Sequence, residues 1–120
     1  MTLAANILVG LIALLHVYIL VLEMFLWTRP PGLRAFGLTL RQARASATLA
    51  ANQGLYNGFL AAGLVWGLVE SRPDVAVAVK VFFLGCVIVA GVYGGATVGL
   101  RIALIQAAPA AIALALLLLG

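Results

Sequence analysis

The residues of this sequence that could do chemistry are polar side chains set within long apolar stretches. They comprise one histidine, one carboxylate, four amides and two tyrosines, namely His16, Glu23, Asn52, Gln53, Tyr56, Asn57, Tyr93 and Gln106. Polar groups inside a membrane are costly when they face lipid, so they almost always face a protein interior or a wet cavity. We therefore predict that these side chains line one substrate-binding pocket that opens toward the cytoplasm.

The depths of these residues support a shared site. A helix rises about 1.5 Å per residue, which places Glu23 about 6 Å and His16 about 16 Å from the end of the first apolar stretch that leads into the first loop. The same count places Asn57 about 15 Å deep on the second stretch, and Tyr93 and Gln106 about 6 Å deep on the third and fourth. Polar groups thus gather in one half of the membrane.

The side-chain types suggest how such a pocket would act. Glu23 or His16 would exchange a proton, while the amides would orient a small polar or amphipathic solute. Glu23 requires either a partner for its charge or a proton that neutralises it. The alternative is that the polar residues are interhelical glue worth about 1 kcal/mol each, with Tyr93 an interfacial aromatic.

Cofactor and metal chemistry find no pattern in this sequence. The chain has one cysteine, Cys86, and one histidine, so neither an intrachain disulfide nor a metal-ligand cluster is expected. No nucleotide-binding signature occurs. We predict no catalytic residue, no metal and no cofactor, which leans away from an enzyme.

Composition determines the class of protein. Of the 120 residues, 66% are hydrophobic and 8% are charged, far from the balance of a soluble domain. A membrane-spanning helix needs about 20 apolar residues, and four stretches qualify: 3–27, 47–69, 75–97 and 102–119. The sequence therefore predicts an all-α polytopic membrane protein, with residues 1–120 forming a single four-transmembrane-helix bundle.

Local signals refine these four stretches. The first lacks a basic region before it and is longer than a signal sequence, so we expect a retained helix. A helical pattern resumes from Thr39 and runs into the second stretch. Pro109 is expected to bend the fourth helix, and Lys80 to extend toward the outer interface.

Basic residues predict the orientation. Five of them, Arg29, Arg34, Arg41, Arg44 and Arg101, fall in the first and third loops, against Arg72 and Lys80 on the other side. By the positive-inside rule those loops are cytoplasmic, and both termini lie outside the cell's inner (plasma) membrane. Arginines facing anionic headgroups also explain the pI near 10, so no nucleic-acid partner is needed.

Glycines recur at helical spacing. Gly54 and Gly58, then Gly63 and Gly67, form GxxxG pairs, and Gly91, Gly95 and Gly99 continue the spacing. Such faces let helices approach closely in lipid. Packing within one bundle is the simpler interpretation, and a homo-oligomer interface is the alternative.

The segment from Asn52 to Gly63, NQGLYNGFLAAG, together with the spacing of His16, Glu23 and Trp27, resembles a family of small four-helix bacterial membrane proteins of unknown function. Members are sometimes labelled "epimerase". The resemblance covers essentially the whole chain and implies topology and size, without catalytic roles.

Three functions remain open from the sequence. The first is a cytoplasm-facing pocket that binds or transports a small polar or amphipathic solute. The second is a structural or accessory subunit whose polar cluster only sets helix register. The third is a membrane enzyme that acts on a lipid-like substrate, with Glu23 and His16 as acid and base.

Overall fold

The computed structural model describes residues 2–120, and all the regular structure in this range is helical. The helices, labelled in chain order, are α1 (Thr2–Met24), α2 (Pro30–Phe36), α3 (Leu40–Val69), α4 (Pro73–Thr97) and α5 (Leu100–Leu119). Helix α5 contains a π-helical stretch, Ala103–Ala107. The all-α prediction is confirmed.

Three of these helices, α1, α4 and α5, are long and apolar enough to cross a membrane, which indicates a membrane protein. Helix α3 has 30 residues, enough in length, but its first 18 residues include Arg41, Gln42, Arg44, Asn52, Gln53 and Asn57. These polar residues lower its mean hydropathy below that of the other three.

The helix ends differ from the predicted spans in several places. Helix α1 stops at Met24, three residues before the predicted end at 27, because the N–H of Leu26 donates to the carbonyl of Val21 and closes the last turn. Helix α3 begins at Leu40, as the pattern from Thr39 indicates. Its first turn is a capping box, in which the Gln42 side chain accepts from the Thr39 N–H and the Thr39 hydroxyl accepts from the Gln42 N–H.

Contacts divide the chain into two compact units, and α1 and α3 contribute to both. The first unit contains the residues up to Leu14 together with Leu60–Gly120. Its core is aliphatic and consists of Ala5, Val9, Ile12, Ala13, Leu64, Leu84, Val87, Ala110, Ala113 and Leu117. Small residues alternate with branched ones there, which allows the helices to pack closely.

The second unit is Leu15–Phe59, comprising the end of α1, the first loop with α2, and the first two thirds of α3. Helix α2 starts at Pro30, where a proline suits a first helical position. It ends at Gly37, whose φ of 64° is the left-handed conformation that glycine adopts without steric cost. The first loop thus contains a short helix of seven residues.

The glycine pairs serve packing within the chain. A methyl group at Gly95 would lie 2.6 Å from the Cβ of Ala103, and one at Gly91 would lie 2.6 Å from the backbone nitrogen of Ala107. Helices α4 and α5 therefore meet at backbone distance. Gly99, in contrast, has nothing within 4 Å of such a methyl group.

Pro109 lies just beyond an irregular part of α5. Before it, the N–H of Ala108 donates to the carbonyl of Ala103, a π-type bond across five residues. A π turn is wider than an α turn. The predicted bend of the helix axis at Pro109 stays a prediction.

Candidate functional site

The second unit contains a hydrogen bond between a carboxylate and an amide on different helices. The Nδ2 of Asn57 on α3 donates to Oε1 of Glu23 on α1 at 2.6 Å, and to the carbonyl of Gln53 at 3.2 Å. Both hydrogens of the amide are therefore used. Glu23 and Asn57 are each partly exposed, and within residues 2–120 no group donates to Glu23 Oε2 or to Asn57 Oδ1.

Glycine allows α1 and α3 to meet at this level. A methyl group at Gly54 would lie 2.5 Å from Cγ of Met24, 3.2 Å from Cβ of Glu23 and 3.3 Å from the carbonyl oxygen of Leu20. One at Gly58 would lie 2.8 Å from a Leu20 methyl group. The first GxxxG pair of α3 is thus the surface on which Glu23 rests.

The direction of the helices brings the two side chains together. Trp27 contacts Ser46 while Leu20 approaches Gly58, so α1 and α3 run antiparallel here. Each Cα–Cβ bond tilts toward its helix N-terminus, which tilts Glu23 and Asn57 toward one another. Counting residues places Glu23 about 6 Å and Asn57 about 15 Å deep. The tilt of the two side chains and the length of the glutamate bridge this difference in depth.

An aromatic frame holds the loop end of this unit. The indole N–H of Trp27 donates to Oγ of Ser46 at 3.1 Å, and that hydroxyl donates to the carbonyl of Gln42 at 2.8 Å. The Trp27 ring lies 4.8 Å from the Phe36 ring at a tilt of 50°. The end of α1 is therefore tied to both α2 and α3 beside the Glu23–Asn57 pair.

The other predicted residues of the second unit differ in exposure. His16 is completely buried, whereas Asn52, Gln53 and Tyr56 are exposed on α3. Gln53 is one turn before Asn57, and its carbonyl takes part in the Asn57 bond. Asn52 and Tyr56 form the neighbouring row of the helix. The structure thus brings Glu23, Gln53 and Asn57 together directly.

Tyr93 and Gln106 belong to the first unit. Tyr93 is 71% exposed, and its side chain borders a shallow apolar groove of about 760 Å³ on α4. Gln106 is half-buried in the π-helical stretch, where its Cβ would lie 3.0 Å from a methyl group at Gly91. That these two residues share a site with Glu23 stays a prediction.

A second polar pair, which sequence reasoning missed, lies in the first unit. Nζ of Lys80 on α4 donates to Oδ1 of Asn6 on α1 at 2.8 Å. Lys80 is only 5% exposed, so the prediction that it extends to the outer interface is wrong: the amide of Asn6 and the space beside Gly67 hold it inside. The sequence did contain a signal for this pair, because Asn6 lies about 6 Å and Lys80 about 10 Å from the start of its helix, which gives the two side chains similar depths.

The described residues offer no other strong candidate for a functional site. In residues 2–120, no group of three or more histidine, cysteine or acidic side chains could hold a metal ion. The one ion pair in this range joins Arg72 to Glu70 at 2.8 Å, in the turn between α3 and α4. The Glu23–Asn57 pair is therefore the candidate site, and its open oxygens make it a hydrogen-bond acceptor.

Comparisons with known proteins give a family. Residues 10–118 match the family described as "Protein of unknown function (DUF1304)". The chain is 33% identical to the "Uncharacterized protein YpaA" of Lactococcus lactis subsp. lactis (strain IL1403) over 116 residues, 95% of this chain and 96% of the relative. No solved structure matches at a significant level. The chain therefore belongs to the DUF1304 family of proteins of unknown function.

Proposed function

We propose that this protein binds a small polar or amphipathic solute inside the membrane, at the Glu23–Asn57 pair. The observation that carries this proposal is the 2.6 Å bond between the two helices, which positions a carboxylate yet leaves one oxygen on each side chain open. A pair that only held the two helices together would be most stable if each of its hydrogen-bond acceptors had a donor. Here the pair is preorganised and incomplete, as a binding site is.

The proposal includes four membrane crossings. Helices α1, α4 and α5 have the required length and apolarity, and α3 has the length, with 30 residues. The polar residues in the first two thirds of α3 can be accommodated in a membrane if Asn57 bonds to Glu23 and the more exposed amides meet water or headgroups. We propose that the site opens to the cytoplasm in the bacterial inner membrane, near the arginine-rich first loop.

The topology has its own test. On a Cys86→Ala background, Arg34→Cys should react with an impermeant thiol reagent only after the membrane is opened. Asp74→Cys should react in intact cells. Labelling of position 74 only from the cytoplasmic side would contradict the proposed orientation.

Solute binding is tested by NMR on the full chain in detergent micelles, with nitrogen-15 labels. The side-chain amide of Asn57 reports on the site and is assigned by its loss in Asn57→Leu. The indole of Trp66, in the first unit, serves as the internal control. Titration uses three compounds with one decyl tail and different headgroups: decanol, decylamine and decanoate.

Binding of a solute at the site predicts a saturable shift of the Asn57 amide with at least one compound, while the Trp66 indole does not move. The proposal is contradicted if no compound shifts the amide, or if both reporters drift together as the micelle changes. In that case the accessory role, in which the polar residues only set helix register, explains the pair better.

A further inference from the structure

We infer that the solute's headgroup is an ammonium ion with N–H donors, carried on an apolar body. This inference rests on the proposed binding site and specifies its ligand class. The structural basis is what the Glu23–Asn57 pair still lacks. It needs hydrogen-bond donors and it needs positive charge.

The lack of donors follows from the bonds present. The amide of Asn57 gives its hydrogens to Glu23 Oε1 and to the Gln53 carbonyl. Glu23 Oε2 and Asn57 Oδ1 then remain as acceptors without a donor in residues 2–120. A ligand that presents two or three N–H groups from one atom can satisfy both acceptors, whereas a carboxylate or an ether presents none.

The lack of positive charge follows from the ion pairs. Within residues 2–120, the one ion pair is Arg72–Glu70, so no basic side chain lies within 4 Å of Glu23. The first-loop arginines of the same unit are all exposed, namely Arg29, Arg34, Arg41 and Arg44. Lys80, which is buried, bonds to Asn6. A carboxylate held at membrane depth without a cation favours a cationic ligand.

The surroundings of the pair specify the rest of the ligand. Leu20 and Met24 of α1 lie against Gly54 and Gly58 on either side of Glu23. On the α1 side the pair is therefore bounded by apolar side chains, while the exposed Gln53 lies one turn away on α3. An ammonium group at the open oxygens would thus have space for an apolar body beside α1.

The test compares headgroups and variants at neutral pH, where decylamine is cationic. Binding constants for decylamine, decanol and decanoate are measured for the wild type, Glu23→Gln and the control Glu70→Gln from the Asn57 amide shift. We expect decylamine to bind wild type about tenfold or more tightly than decanol, the factor that a charge-assisted hydrogen bond provides. Glu23→Gln should remove this preference, so that decylamine binds this variant no more tightly than decanol does.

Two further results make the outcome decisive. Glu70→Gln should retain the decylamine preference, and Glu23→Asp, which keeps the charge on a shorter stem, should retain part of it. If decanol or decanoate binds saturably and decylamine binds no better, the ammonium assignment is overturned while the binding site stands. If no compound shifts the Asn57 amide, the proposed site itself fails.

Discussion

The two polar pairs of this protein are built in a similar way but differ in how exposed they are. In each, one ionisable side chain on one helix meets one asparagine on another: Glu23 with Asn57, and Lys80 with Asn6. Lys80 is 5% exposed and packs beside Gly67, whereas Glu23 and Asn57 are partly exposed and retain open acceptors. Exposure, more than residue type, therefore distinguishes a structural contact from a site that can bind a ligand.

The largest effect is expected at the buried pair. Asn6→Leu would leave the Lys80 ammonium without its amide inside the protein, and such a loss costs about 3 kcal/mol. Unfolding in mixed micelles, followed by helical circular dichroism, measures it. The double variant Asn6→Leu/Lys80→Met should recover most of the loss, because it removes the charge as well as its partner. A loss below about 1 kcal/mol in the single variant would show that Lys80 finds water, and the contrast would disappear.

Close packing beneath Glu23 gives the next effect. Gly54→Ala should destabilise the protein by about 2 kcal/mol, because the new methyl group meets Met24 and approaches the Leu20 backbone. The matched control is Gly85→Ala on α4, where nothing lies within 4 Å of the added methyl group. That variant should be neutral or slightly stabilising, since alanine favours a helix. Equal effects at both positions would mean that α1 does not rest on Gly54.

The partly exposed pair should be less sensitive than the buried one. Asn57→Leu removes the bond to Glu23, but water or headgroups can reach the carboxylate, so a loss of about 1 kcal/mol is expected. The same unfolding assay applies. An Asn57→Leu loss as large as that of Asn6→Leu would place both pairs in the same structural role.

The exposed ion pair in the α3–α4 turn gives the smallest effect. The hydrogen bond from Arg72 lowers the pKa of Glu70 from 4.5 to about 2. Because the native pKa lies below the unfolded one, the ionised pair stabilises the protein above pH 4.5, and this stabilisation is lost as the pH falls toward about 2. Unfolding midpoints at about pH 6 and about pH 3 should differ slightly less in Glu70→Gln than in wild type. An identical pH dependence in both proteins would show that the ion pair does not stabilise the folded protein.

Much of the helical layout could be predicted from the sequence because it depends on local properties. The restart of the helix at Thr39, for example, follows from capping chemistry. Helix α3 is the least apolar of the four long helices, because its arginine, asparagine and glutamine residues offset the glycine and alanine around them.

The partners of the polar residues could not be predicted in the same way. Counting residues gives depth along one helix, but it does not give the rotation of that helix or the level at which its neighbour begins. Glu23 therefore meets Asn57 rather than the nearer-seeming Asn52 or Gln53 side chains. Lys80 was placed by its expected length and charge alone, and the amide of Asn6 on another helix decides its position.

The central claim is that a bound solute has its headgroup at the Glu23–Asn57 pair. Intermolecular nuclear Overhauser effects between decylamine and the full chain, in deuterated micelles, test this directly. We expect a contact between the methylene next to the decylamine nitrogen and the Asn57 side-chain amide. This contact should be absent in Glu23→Gln, and the Trp66 indole should show no such contact. Contacts that reach only apolar side chains of α4 and α5, unchanged in Glu23→Gln, would contradict it.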